Sequence, residues 1–210
     1  MTAATVFVVD DDAAVRSGLS LLLETAGFEV EAHASAVDFL ESFEPGRPGC
    51  LLLDVRMPQM SGPELQGELN RRGSLLPIIF LTAHGDVATT AQSFKAGACD
   101  FLTKPVESST LLAAVQAALH KDAQRREQAS ATRAQRARVQ SLTEREREIM
   151  VLVVSGRSSK QIAQDLGISH RTVEIHRTRV MQKTGAANLM ELFRIAESCG
   201  YVAGGPVPPS

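Results

Sequence analysis

The chain of 210 residues has only three cysteines, no run of 18 apolar residues and no basic leader at its start. Cys50, Cys99 and Cys199 are odd in number and widely separated, so they form neither a disulfide framework nor a metal-ligand spacing. They read as inert thiols, which fits a reducing cytoplasm. Without a long apolar run, no membrane span is expected. Met1-Thr2-Ala3-Ala4-Thr5 carries no basic region and leads straight into an apolar run, unlike a secretory signal. Net charge is scarce too, at −2, but the balance conceals a division. Residues 1–120 hold 7 Lys and Arg against 15 Asp and Glu, a formal −8. Residues 121–210 hold 15 against 9, a formal +6. Opposite signs predict different partners for the two halves. The basic half suits nucleic acid, although a solvated surface accounts for it equally well. A hydrophobic content of 44% supports real cores, and the length accommodates two modest domains.

The first 120 residues alternate strand and helix. Strands are expected near 5–9, 29–32, 50–53, 77–81 and 99–102, and helices near 13–26, 36–42, 62–71, 86–96 and 107–120. Such alternation predicts a five-stranded parallel sheet, doubly wound, with helices on both faces. Polar residues stand where four apolar runs stop. Asp10 and Asp11 follow Val6–Val9, Asp54 follows Leu51–Leu53, Thr82 follows Ile78–Leu81, and Lys104 follows Phe101–Thr103. In open α/β sheets, sites form outside the carboxyl ends of the strands. Taken singly, each of these reads as well as a turn residue, and Asp12 reads as the cap of the helix opening at Ala13. Taken together they describe a phosphoryl-transfer site. Three carboxylates in one place require a cation between them, and oxygen ligands favour Mg2+.

From 121 to 140 the chain is rich in Ala, Gln and Arg and contains no Gly or Pro. These residues favour helix, and the segment reads as a solvated helical linker. It lacks the sustained apolar heptads of a coiled coil. Residues 141–203 read as all-α, and 204–210 as a disordered tail. Thr143 and Glu146 make a capping box, Ile149, Leu152 and Val153 form an apolar stripe, and Gly156 ends that helix. A short helix at 159–166, a turn at Gly167-Ile168-Ser169 and a longer helix to about Lys183 make a helix-turn-helix. Its core would be Ile162, Ala163, Leu166, Ile168, Val173 and Val180. A last helix at 188–199 would bury Leu189, Leu192, Phe193 and Ile195. The exposed face of the longer helix would show Arg171, Thr172, Glu174, Ile175, Thr178 and Arg179 to a DNA groove. Lys160, Arg177 and Lys183, with Arg171 and Arg179, would neutralise phosphates. A pair of helices packed only for structure gives the same pattern, so a protein-binding output stays open.

The segments Val8-Val9-Asp10-Asp11-Asp12, Leu53–Gly62, Leu81–Asp86 and Lys95–Pro105 resemble the receiver domain of two-component response regulators. Leu142–Glu146, Lys160-Gln161-Ile162-Ala163, Ser169–Arg177 and Lys183 resemble the LuxR-type output domain. The combination is similar to the NarL/FixJ family of response regulators, closest to its FixJ-like branch. Three positions depart from the family pattern: Ser159 stands where Asn is usual, Thr184 where Leu or Met fills core, and Glu174 where Lys is commoner. A carboxylate accepts from cytosine N4, so the last departure changes which base edge is read.

The resemblance implies a flavodoxin-like receiver over 1–120 and a chain that is not an enzyme. Asp54 would accept a phosphoryl group from a sensor histidine kinase. Asp11 and Asp54 would bind Mg2+ directly, Asp10 largely through water, and the Arg56 carbonyl would add a ligand. Lys104 would pair with Asp54 and then with the phosphoryl group, held by a cis bond to Pro105. Thr82 would donate its hydroxyl to a phosphoryl oxygen, and Phe101 would turn inward as Thr82 moves. His84 reads as a loop residue rather than a base. The signal would pass to the face made by helix 86–96, strand 99–102 and helix 107–120, favouring a homodimer that binds promoter DNA, with RNA polymerase as a further partner. A phosphoaspartyl hydrolase is the enzymatic rival. Such an enzyme would want a second acid-base Asp two positions beyond Asp54, where Arg56 stands.

Overall fold

The computed structural model describes residues 4–82 and 98–201, and the chain divides into two compact units after Arg126. The helix expected at 86–96, His84 and the tail at 204–210 lie outside the described residues.

In the first unit the continuous apolar runs are strands: β1 (Thr5–Val9), β2 (Glu29–His33), β3 (Gly49–Asp54), β4 (Ile78–Thr82) and β5 (Asp100–Thr103). They form one parallel sheet in the order β2-β1-β3-β4-β5. The runs are continuous because side chains alternate between two covered faces. One face places Phe7, Leu51, Leu53 and Phe80 against α2 (Ala36–Ser42) and α3 (Gly62–Arg71). The other places Val6, Val8, Leu52 and Ile79 against α1 (Ala13–Thr25) and the start of α4 (Ser108–Gln140). β2, at the sheet edge, is only partly buried, which explains its polar sequence. Asp12 caps α1 by accepting from the amides of Ala14 and Val15.

The helix α4 runs unbroken through the segment expected as a linker. Its packing divides where the units divide. Asp122, 3% exposed, accepts the Gly49 amide at 3.1 Å and pairs with Arg126. Arg126 also donates to the carbonyls of Gly46 and Arg47. These contacts hold residues 121–126 in the first unit. From Glu127 the helix belongs to the second, where Val139 is 1% exposed in the core.

The second unit continues with α5 (Glu144–Val154), α6 (Ser159–Leu166), α7 (His170–Thr184) and α8 (Leu189–Ser198). Local chemistry sets each boundary. Thr143 and Glu146 form the expected capping box, Ser158 and Gln161 form a second, and Ser169 and Asn188 cap α7 and α8. Gly167 adopts a left-handed φ of 63° at the end of α6, making the tight turn into α7. Ile149, Met150, Val153, Ile162, Val173, Val180 and Leu192 share one core, on which Ala163, Leu166 and Ile168 pack. Two details differ from expectation. Leu189, on the first turn of α8, is 49% exposed and Phe193 is only half-buried, while Ala196 is buried in the core. Thr184, where an apolar residue is usual, is fully buried, and its hydroxyl donates to the Val180 carbonyl at 2.7 Å. The polar group is thereby satisfied within its own helix.

Candidate functional site

The order of the sheet reverses between β1 and β3, and the expected polar residues gather at that crevice. Asp10 follows β1, Asp54 ends β3, Thr82 ends β4 and Lys104 follows β5. Asp10 is 1% exposed, and Asp54 and Thr82 are each 7% exposed. The Lys104 ammonium reaches both carboxylates, donating to Asp10 Oδ2 at 2.6 Å and to Asp54 Oδ1. The second Asp54 oxygen accepts the Arg56 amide at 2.7 Å. Asp10 Oδ1 accepts the Asp12 amide, and its carbonyl accepts from Arg16. The Lys104 amide donates to the Thr82 carbonyl at 2.8 Å, and the Lys104–Pro105 bond is cis.

Burial pushes the Asp54 carboxyl above its ordinary range, and the hydrogen bonds from Lys104 and Arg56 offset this only in part. Burial pulls Lys104 down, but the two carboxylates outweigh it and leave the ammonium raised. Burial thus sets the direction at Asp54, and the two carboxylates set it at Lys104.

The loop after Asp54 is shaped by a close approach. A Cβ on Gly62 would lie 2.4 Å from the Asp54 carbonyl oxygen and 2.9 Å from the Phe80 ring, so no larger residue fits without a shift. The Gly62 amide donates to the Val55 carbonyl, which closes the turn beneath Asp54. Phe101 pairs in register with Phe80, and the rings stack at 4.9 Å.

Of the three expected carboxylates, Asp10 and Asp54 are bridged by one ammonium. Asp11 is exposed, and among the described residues no three His, Cys, Asp or Glu side chains gather into a metal-holding group. The balancing cation between Asp10 and Asp54 is Lys104. The donors remain carboxylate and backbone oxygens, whose hardness suits a divalent ion such as Mg2+.

In the second unit, α7 exposes Arg171, Glu174, Ile175, Thr178 and Arg179 on its surface, with Thr172 half-buried. Ile175 is 45% exposed. Lys160 is exposed on α6. Two expected phosphate contacts are engaged elsewhere. Lys183 donates to Glu146 Oε2 at 2.6 Å, and Arg177 donates to Ser159 Oγ at 2.8 Å. Both tie α7 to a neighbouring helix. Along the sequence Glu146 shows only as a local cap, because Lys183 lies 37 residues away.

Both units resemble known proteins. Residues 6–116 match the response regulator receiver domain, and residues 140–196 match the luxR family of bacterial regulatory proteins. The chain is 44% identical to the transcriptional regulatory protein FixJ of Azorhizobium caulinodans, over 98% of this chain and 97% of that protein. It is 43% identical to the transcriptional regulatory protein TdiR of Thauera aromatica, over 99% and 93%. Among solved structures, the response regulator StyR aligns with a TM-score of 0.85 at 45% identity, covering 93% of this chain and 99% of that one. Among the described residues no helix is long and apolar enough to cross a membrane. The chain belongs to the NarL/FixJ family of response regulators, and it is a DNA-binding regulator of transcription that joins a receiver domain to a luxR-type output domain.

Proposed function

We propose that Asp54 accepts a phosphoryl group from the phosphohistidine of a sensor kinase and that this modification promotes dimerisation and promoter binding, activating transcription. The observation that carries the reading is the shared Lys104 ammonium between Asp10 and Asp54 at the switch point of the sheet. A carboxylate oxygen of Asp54 attacks phosphorus, the P–O bond forms as the P–N bond breaks, and the electron pair returns to the imidazole. Lys104, already on that oxygen, follows the negative charge onto the phosphoryl group. The Arg56 amide holds the other oxygen and fixes the carboxylate plane. Thr82 supplies a hydroxyl to a phosphoryl oxygen, and Phe101 responds to its movement. Asp11, Asp54 and the Arg56 carbonyl would hold Mg2+, with Asp10 acting through water. The ion, when bound, neutralises the nucleophile and the incoming oxygens.

The output unit reads DNA through α7. Glu174, Ile175 and Thr178 meet base edges, while Lys160, Arg171, Thr172 and Arg179 meet the backbone. The chain turns over no external substrate, acts in the cytoplasm and works beside RNA polymerase. The direct test is labelling with radioactive acyl phosphate in Mg2+. Wild type takes up an acid-stable, base-labile label and Asp54→Asn does not, because an amide of the same shape is a far poorer nucleophile. Equal labelling of both would move the acceptor to another residue.

A further inference from the structure

The helix α7 ends at Thr184, and the last four carbonyls of any helix lack partners within it. Gly185, with a left-handed φ of 76°, satisfies one by donating its amide to the Met181 carbonyl at 2.9 Å. The Thr184 carbonyl is met from another helix. Gln135, on α4, donates from Nε2 to the Thr184 oxygen at 3.2 Å. Arg138, one turn further along α4, lies against the same helix end, where a Cβ on Gly185 would come within 3.0 Å of its Nη1. A guanidinium there complements the negative end of the helix dipole. Val139 seats this turn in the core that also holds Val173 and Val180 of α7. A hydrogen bond, a cation and an apolar anchor from one stretch of α4 thus converge on one end of α7. That stretch ends one residue before the luxR-family match, which begins at 140.

We propose that residues 135–139 belong to the DNA-reading apparatus, with Gln135 as a positioning residue that fixes the C-terminal end of α7 without touching DNA. The proposal rests on α7 being the helix that reads bases. Glu174 lies ten residues before Thr184, about 15 Å along the helix axis. A helix passes displacement of one end to its exposed face, and base-edge hydrogen bonds tolerate only tenths of an ångström. Releasing Gln135 therefore costs sequence choice first. It leaves phosphate contacts, and so the salt dependence, in place.

The test uses the full chain and two duplexes, one selected from random DNA by the wild-type protein and one random. Gln135→Met keeps the length and neutrality of the side chain but cannot donate. Gln135→Lys restores a donor suited to a helix C-terminus. Gln135→Met is expected to lower the ratio of selected to random affinity by roughly 2- to 10-fold, the worth of one hydrogen bond. The log-log salt slope stays unchanged, and Gln135→Lys recovers the ratio. An unchanged ratio in Gln135→Met overturns the proposal, as does an equal loss on both duplexes, which is the mark of general unfolding. Glu174→Ala is measured alongside. If it lowers the ratio while Gln135→Met does not, the positioning role alone fails. If neither moves the ratio, α7 is not the reader and both readings fall.

Discussion

Glu146 is 3% exposed, an unusual place for a carboxylate. Burial alone would raise its pKa, but the Lys183 ammonium and the Thr143 amide outweigh burial and hold it below the ordinary range. Its folded value therefore lies below its unfolded value. The resulting stability is fully present above the unfolded pKa and is lost as pH falls through the folded one. Glu146→Gln removes the titration while keeping an acceptor for the cap. The variant is expected to be less stable than wild type at pH 7 by about 1–3 kcal/mol. The gap should close as pH drops below about 4, near the usual glutamate range. Tyr201, the chain's only tyrosine, packs on this core and the chain has no tryptophan, so its fluorescence reports the output unit alone. Parallel stability curves from pH 7 to pH 3 would remove Glu146 from the account. The same pair bears on DNA. If Lys183 is committed to Glu146, Lys183→Met leaves the salt slope of DNA binding unchanged. A fall of about one unit would return Lys183 to the phosphate backbone.

Among elements, the turn from β3 into α3 shows how tightly the first site is built. Gly62 passes against the Asp54 carbonyl, and the site has no room for a methyl group there. Gly62→Ala is expected to cost about 1–3 kcal/mol through overpacking. Urea titration checks this, and a loss below about 0.5 kcal/mol would show that the loop yields easily. Most elements were legible in the sequence for stated reasons. Continuous apolar runs marked β1, β3 and β4, because both faces of the sheet are covered. Thr143, Ser169 and Gly167 marked helix ends through local hydrogen bonding and left-handed backbone. What remained hidden was non-local. Lys104 and Asp10 are 94 residues apart, and no pattern along the chain says that one ammonium serves two carboxylates. The burial of Val139 was hidden as well, because one large apolar residue in the stretch 121–140 carries no periodicity. Leu189 misled in the opposite sense, since hydrophobicity does not tell a core position from the open end of a helix.

At the scale of the whole molecule, an acidic half and a basic half serve different chemistries. On the proposed function, a phosphoryl group on the receiver would shift the population toward one of two existing arrangements rather than create a new one. Pairing two chains would then raise avidity for DNA with no change in either recognition surface. Modification at Asp54 is thus proposed to control DNA binding at the other end of the chain. The most direct measurement is a mobility-shift titration of the full chain on a selected duplex, with and without acyl phosphate and Mg2+, for wild type and Asp54→Asn. Wild type is expected to bind at least about tenfold tighter after treatment, within the gain that bivalency supplies. Asp54→Asn should stay at the untreated affinity throughout. Equal tightening of Asp54→Asn, or no tightening of a fully labelled wild type, would contradict the claim.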